Sequence, residues 1–437
     1  MTLIMGIVNV TPDSFSDGGN WQGADAAAAH ASALVAAGAD IIDIGGESTR
    51  PGADPVGVQQ EIARVVPAIR AIRDTGLALP LSIDSYHPQT VAAALDAGAT
   101  IINDINGFRD SAMCRLAAAH PDNDCVLMHM VGTPKTMQDN ISYTDVVSQV
   151  TDFLLQGAAR LQAAGIAARR IILDPGFGFS KDYRQNLLLY LAAQRQFERL
   201  HEQGYRVLVG LSRKSMVAGL TGIARPDARD DASAQLAAAL AAAGADIVRV
   251  HDVAATHAAL DVLEGTARTA YVALGSNQAA TGRTPHDNVQ TALDELSRLP
   301  VTRLAAVATP VESEPAYDTD QAAFVNTVAR LETRLGPVAL FAYLQAIETL
   351  MQRVKTRVNG PRSIDLDLLS YTDGGAAVTL DLPALTVPHP RMCERDFVVT
   401  PLLELDPDFR LPDGRRPDGA QLRYGRVIRS LPPLVLR

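Results

Sequence analysis

Asp365 and Asp367 sit inside the stretch NGPRSIDLDLL, residues 359–369. Two positions apart on a strand, they project from one face toward a shared point. Carboxylates so placed repel one another unless a divalent cation neutralises them, and Mg²⁺ is the hard, oxygen-preferring candidate. Arg353, Lys355, Arg357 and Arg362 lie directly upstream or within the stretch, and such cations could clamp phosphate groups. Alone, an Asp-x-Asp on an amphipathic strand reads as a solvated face; with a cationic cluster before it, it reads as a metal and phosphate site. The sequence contains no GxxxxGK[ST] stretch, so a nucleotide here is not held by a phosphate loop.

A second set of chemical groups is spread along the first 260 residues. Short apolar runs at LIMGIVN, DIIDIGG, LSIDS, TIINDIN, CVLMHM, RIILDPG, RVLVGLS and DIVRVHD each end in a polar residue or a glycine turn. In order, those ends are Asn9, Gly45-Gly46-Glu47, Asp84, Asn103-Asp104, His129, Asp174, Ser212-Arg213-Lys214, and Arg249 with His251. Singly, Asp84 and Asp174 could merely cap turns, and His129 reads as structural. Eight polar ends in a row are hard to explain as turns.

The elements that must position these groups follow from the spacing. Alanine-rich stretches with helical periodicity, such as 24–37, 88–97 and 232–243, separate the apolar runs. Three of them close on Gly38-Ala39-Asp40, Gly98-Ala99-Thr100 and Gly244-Ala245-Asp246, where glycine suits a left-handed helix cap. Eight such units predict a parallel (β/α)₈ TIM barrel, with functional groups gathered at the C-terminal ends of its strands. The connection after LIMGIVN is long and polar, and GGESTRPGADPV at 45–56 has the same character; both read as working loops over the barrel mouth. The barrel's pattern ends near residues 265–270. Beyond it, strand, helix (285–298), strands, helix (337–354) and the Asp-x-Asp strand predict a smaller α+β domain, expected to be ferredoxin-like, an antiparallel sheet with helices on one face. Domains at 1–267 and 268–437 are expected.

At 437 residues the chain is long enough for two cores. A net charge of −10 argues against nucleic acid or an anionic membrane as the main partner. Three cysteines without CxxC pairing fit a reducing compartment. With no signal-like or transmembrane-length run, a cytoplasmic protein is expected.

NVTPDSFSDGG, GGESTRPG, LDPGFGF, SRKS and RVHD, in that order, resemble the signature of the dihydropteroate synthase family from Ile4 to about Val262. The family joins p-aminobenzoate to dihydropterin-6-ylmethyl diphosphate and releases pyrophosphate. The resemblance implies that Asn9 helps hold Mg²⁺ on the diphosphate, to which Arg249 and His251 donate. It implies that Asp84, Asn103 and Asp174 read the pterin, that Lys214 bonds its carbonyl side, and that Thr49, Arg50 and Ser212 shape the aminobenzoate pocket. Lys214, Arg249 and His251 are thereby the candidate catalytic groups. SIDSYHP replaces an Asp-Thr-Ser-Lys-Pro-like stretch, and Ser180 stands where glycine is common.

The second half resembles 6-hydroxymethyl-7,8-dihydropterin pyrophosphokinases from Tyr271 to about Pro407, through LGSN, FVNTV, GPRSIDLDLL and VPHPRM. That resemblance implies Mg²⁺ held by Asp365 and Asp367, with ATP as a substrate. Arg353, Lys355, Arg362, His389 and Arg395 would handle phosphates, with Arg353 and Arg362 catalytic. Phe324 and Phe397 would sandwich the pterin, and Asn326 would bond its edge. Lys355 replaces a usual arginine and Asn359 a usual tryptophan. Together the resemblances imply a bifunctional folate-biosynthesis enzyme with small-molecule partners, and a homodimer formed through the barrel. The alternatives are a pterin-dependent methyltransferase barrel, which would lack the Ser-Arg-Lys loop, and an active synthase carrying a degenerate, binding-only C-terminal half.

Overall fold

Each of the eight apolar runs becomes a strand, because a run of four to seven buried residues between helices satisfies its backbone only by pairing on both sides. In the computed structural model these are β1 (Leu3–Asn9), β2 (Ile41–Gly45), β3 (Leu81–Asp84), β4 (Ile101–Asp104), β5 (Asp124–Met128), β6 (Ile171–Asp174), β7 (Arg206–Val209) and β8 (Ile247–Val250). They pair in sequence order and close as a parallel barrel when β8 meets β1. The structure describes residues 1–10, 20–49, 52–139, 141–353, 357–417 and 422–436, with side chains omitted at 20–22. Arg50 and Lys355 lie outside the described residues.

Met5, Ile41, Ile101, Val126, Ile172, Leu208 and Ile247, one from every strand except β3, form a single apolar cluster. Side chains on a strand alternate between faces, so the residues two further on share the same orientation. Those residues include Asp43, Asn103, Asp174 and Arg249. An apolar floor thus carries a polar ring directly above it, on the C-terminal side.

The alanine-rich helices run Asn20–Ala36, Pro88–Asp96 and Asp230–Ala242. Gly38, Gly98 and Gly244 follow with φ of +103°, +114° and +109°. In each case the next alanine N–H reaches back to the last turn, Ala39 to Leu34, Ala99 to Ala94 and Ala245 to Leu240, all at 2.9 Å; this is the Schellman closure. The third residue then stitches neighbouring strands at their starts. Asp40 Oδ2 accepts from Ile4 N–H at 2.8 Å and Asp246 Oδ2 from Val207 N–H at 2.7 Å. Thr100 N–H donates to the Leu81 carbonyl at 2.8 Å.

Grouping by backbone proximity divides the chain into Met1–Ala218 with Ala224–Leu260, and Gly219–Ile223 with Asp261–Arg437. In the second unit, β9 (Arg268–Ser276) is central. It pairs antiparallel with β12 (Phe324–Thr333) and β13 (Asp365–Asp373). Strand β10 (Thr302–Val307) and β11 (Val311–Ser313) both pair with β12, β14 (Ala376–Ala377) extends β13, β15 (Leu380–Leu382) and β16 (Leu385–Val387) form a hairpin, and β17 (Val427–Ser430) lies beyond β11. The helix Pro285–Leu296 covers the face of Ser276, to whose hydroxyl Asn288 Nδ2 donates at 3.4 Å.

One expectation is corrected. Helices are not confined to one face of this sheet. Tyr271, Ala273 and Val328 on the opposite face form a core with Val398 and Leu402 of the helix Asp396–Leu405. The upper part of that face, at Gly275, Asn326, Asp365 and Asp367, is left to a cleft.

Candidate active sites

In the barrel, Arg249 is the central group of the polar ring. Its Nε donates to Asp43 Oδ2 at 2.6 Å and its Nη2 to Asp84 Oδ2 at 2.7 Å. Asn103 Nδ2 lies 3.4 Å from both oxygens of Asp43. One guanidinium faces two buried carboxylates, and the Lys214 ammonium also bears on Asp84. Burial raises the Asp84 carboxyl above its usual range; Arg249 opposes that shift, while Asp43 and Glu61 reinforce it. Asp84 Oδ1 is buried with no hydrogen-bond partner among the described residues. An orphaned acceptor of this kind is costly unless a ligand donates to it.

Asp174 completes the ring on β6. Its Oδ1 accepts from Gly176 N–H at 2.7 Å, and burial raises its carboxyl against the pull of Lys214. Lys214 donates to the carbonyls of Phe177, at 2.7 Å, and Gly210, and its Nζ stands 4.5 Å from the Phe179 ring centroid. Burial pushes its ammonium down to about 8; Asp174 opposes the shift and the like charge of Arg249 adds to it. Ser212 Oγ lies 2.9 Å from His251 Nδ1, so the hydroxyl orients that imidazole. Asn9 ends β1 half-buried, in register with Gly45, and Thr49 is half-buried beyond β2.

His129 is structural, as its sequence context suggests. Lys181 Nζ donates to its Nδ1 at 3.0 Å and to the carbonyls of Gly176 and Phe179, each at 2.9 Å, which fixes the loop after β6. Ser180 takes a left-handed φ of +52°, which explains why glycine suits that position. Its hydroxyl compensates by donating to the Val131 carbonyl at 2.7 Å.

The second site is a cleft on the open part of the β9–β12–β13 face. Phe324, Asn326, Arg362, Asp365, Asp367, Arg395 and Phe397 all line it. Asn326 Nδ2 donates to Ser313 Oγ at 2.8 Å. A Cβ on Gly275 would stand 2.5 Å from Asn326 Oδ1, so glycine is required beside that amide. Asp365 is bracketed by Arg353 Nη2 and Arg362 Nη1, each at 2.6 Å. Asp367 pairs with Arg395 Nη1 at 3.1 Å, with His389 Nε2 at 3.9 Å.

The guanidiniums therefore supply positive charge themselves, and the carboxylate pair does not require a metal for neutrality. The two side chains nevertheless stay 22% and 30% exposed to the cleft, so their oxygens are open to a hard cation. Arg353 stands behind the carboxylates, between Asp365 and the buried Glu348, and neither it nor His389 is among the cleft-lining residues. Asn359 has φ of +54°, a left-handed conformation in which asparagine is enriched.

Sequence reasoning missed three contributors. Asp43 is a carboxylate inside the buried strand IIDIG, and that misfit was its signal. Glu348 likewise interrupts an apolar helix, where Oε1 accepts from Leu366 N–H at 2.8 Å. Tyr317 lines the cleft, its hydroxyl accepting from Arg395 Nε at 3.5 Å, and carries no motif.

Residues 5–251 match the family model described as pterin binding enzyme, which covers more than half the chain; the chain belongs to that family. Residues 271–407 match 7,8-dihydro-6-hydroxymethylpterin-pyrophosphokinase, so a dihydropteroate synthase-type barrel and a pyrophosphokinase domain are fused in one polypeptide. The barrel is 48% identical to a dihydropteroate synthase of Neisseria meningitidis serogroup C over 263 residues, 60% of this chain and 91% of that protein. It is 43% identical to that of Escherichia coli K12, with the same coverage. Among solved structures, Xanthomonas albilineans dihydropteroate synthase with 4-aminobenzoic acid aligns with TM-score 0.56 and 44% identity, covering 60% of this chain and 92% of that one. The Burkholderia cenocepacia enzyme complexed with 7,8-dihydropteroate gives 0.54 and 43%, covering 60% and 91%.

Arg249→Met is expected to leave Asp43 and Asp84 buried side by side without a cation, costing about 3–5 kcal/mol at neutral pH. Arg249 opposes the burial shift of Asp84, so without it that carboxyl rises further above its unfolded value, and the loss should shrink as pH falls and Asp84 protonates. Urea unfolding at both pH extremes of the native range measures this; a deficit independent of pH would exclude the charge explanation.

Proposed function

We propose that the chain catalyses two consecutive steps of folate biosynthesis. The pyrophosphokinase domain transfers pyrophosphate from ATP to 6-hydroxymethyl-7,8-dihydropterin, releasing AMP. The barrel condenses that diphosphate with p-aminobenzoate, giving dihydropteroate and pyrophosphate. The observation that carries the barrel reading is the orphaned Asp84 Oδ1. With Asp174 and Asn103 it offers buried acceptors to an amino-substituted heterocycle, which is how a pterin's donor edge is read.

In the barrel, negative charge grows on the departing diphosphate and positive charge on the pterin methylene. Fixed donors suit this reaction better than a nucleophile. His251, oriented by Ser212, and Arg249, held by Asp43 and Asp84, supply such donors. Lys214 addresses the pterin carbonyl side, and Thr49 and Arg50 shape the aminobenzoate pocket. Asn9 offers one hard oxygen toward a diphosphate-bound Mg²⁺.

In the cleft, Phe324 and Phe397 take the flat pterin ring and Asn326 its polar edge, while Arg362 and Arg395 hold phosphates with Lys355 and His389. Asp365 and Asp367 fit Mg²⁺, which when bound would screen the polyphosphate charge. Arg353 keeps Asp365 aimed at the cleft.

Asp365→Ala and Asp367→Ala are each expected to abolish Mg²⁺-dependent AMP release while sparing dihydropteroate synthesis from supplied diphosphate. Substantial AMP from both variants would sink the metal assignment, and would leave the barrel reading untouched.

Because burial lowers Lys214 to about 8, its ammonium is lost as pH rises through that value. Dihydropteroate formation at low substrate should therefore fall on the alkaline side of about 8. Lys214→Arg stays charged, so its profile should lack this limb whatever its absolute rate. A limb unchanged in the variant would assign the titration to another group.

Separate catalytic halves are proposed at 1–267 and 268–437, since β9 starts at Arg268 with its own sheet and cleft. Each fragment, expressed alone, should retain its own reaction at saturating substrate. An unfolded C-terminal fragment would move the boundary.

A further inference from the structure

Glu47, Glu61 and His87 converge outside the ring of groups just described. Glu47 follows β2, Glu61 lies in the first turn of the helix Val58–Asp74, and His87 precedes the helix Pro88–Asp96. Gly46 permits the approach: a Cβ there would meet Val65 Cγ1 at 2.7 Å and Glu61 Cγ at 3.0 Å. One ligand atom from each of the three residues lies within 4.8 Å of the other two. His87 Nδ1 is 2.9 Å from Glu61 Oε2 and 4.0 Å from Glu47 Oε2.

Both carboxylates are buried, at 8% and 1% exposure. Glu47 Oε1 accepts from the Tyr86 hydroxyl at 2.7 Å, and Glu61 Oε2 from Ser85 Oγ at 3.0 Å. Glu47 Oε2, by contrast, is buried and aimed into the cluster with no hydrogen-bond partner among the described residues. An anionic oxygen left so demands a cation or a donor.

We propose that Glu47, Glu61 and His87 bind one divalent transition-metal ion of the Zn²⁺ class. An imidazole nitrogen with two carboxylate oxygens is a three-ligand zinc set, and the ion's charge balances both carboxylates. Ligand atoms around tetrahedral zinc are about 3.4 Å apart, within the span found here. The side chain of His87 is 21% exposed, leaving a route for water as fourth ligand. Mg²⁺, which favours an all-oxygen octahedron, suits the set poorly. The ion's place is structural: it pins residues 45–49 to the turn after β3. The assignment does not depend on the reactions proposed above. The competing source of positive charge is a protonated His87.

The test uses the untagged full-length chain in excess Mg²⁺ in neutral buffer. Zn²⁺ is titrated calorimetrically, and bound metal is counted after gel filtration. One Zn²⁺ per chain is expected, with affinity falling at least about tenfold in Glu61→Gln and His87→Ala. His87→Lys places a non-ligating ammonium between the carboxylates, so it should fold and still lose the ion. The Asp365→Ala/Asp367→Ala double variant should keep it. Zinc-edge absorption on the wild-type chain should show one imidazole with oxygen donors. No uptake by the wild type, wild-type affinity in His87→Lys, loss in the double aspartate variant, or an absorption spectrum without imidazole would each overturn the proposal.

Discussion

The barrel site depends on one cation shared by two carboxylates. Arg249 enters the mouth from β8 and is fixed by Asp43 on β2 and Asp84 on β3. That geometry settles several other features. It explains why a charged residue is tolerated inside IIDIG, and why Asn103 turns its amide toward Asp43. It also leaves Asp84 with one oxygen bonded and one without a partner among the described residues. A guanidinium serves here where an ammonium would not, because its planar fork engages two acceptors in fixed directions.

The cleft of the second unit solves a similar problem with more cations. Asp365 lies between Arg353 and Arg362, and Asp367 against Arg395. These aspartates are neutralised from within the protein yet stay 22% and 30% exposed to the cleft. The helix Asp396–Leu405 decides where this happens. By covering Tyr271 and Ala273, it restricts the open part of the sheet face to the end carrying Asn326 and the two aspartates.

Much of this was legible in the sequence. The eight strands, their polar ends and the helix closures could be read because period and punctuation are local properties. The strand ends Asn103, Asp174 and Arg249 met as expected because β-strand alternation carries the apolar floor at Ile101, Ile172 and Ile247 to them in two residues. Partnerships were not legible. Nothing local says that Asp43 meets Arg249 across 206 residues of sequence, or that Arg353 spends its charge on Glu348 behind the cleft. The repulsion argument singled out Asp365 and Asp367, which line the cleft together, but did not foresee the guanidiniums that neutralise them. Helices on both faces of the second sheet went unread because β9 is apolar on both faces, and such a run does not say which side is covered.

The repeated Gly-Ala-Asp or Gly-Ala-Thr ending has a consequence for how such a barrel changes over evolutionary time. Its third residue fastens strand starts, at the end of the barrel opposite the polar ring. Closure of the cylinder is thereby secured by residues remote from the polar ring. Drift in the loops at the mouth can then be sampled without reopening the seam between β1 and its neighbours. Selection for new specificity and selection for an intact scaffold act on separate ends of the same eight strands, and neither need wait on the other.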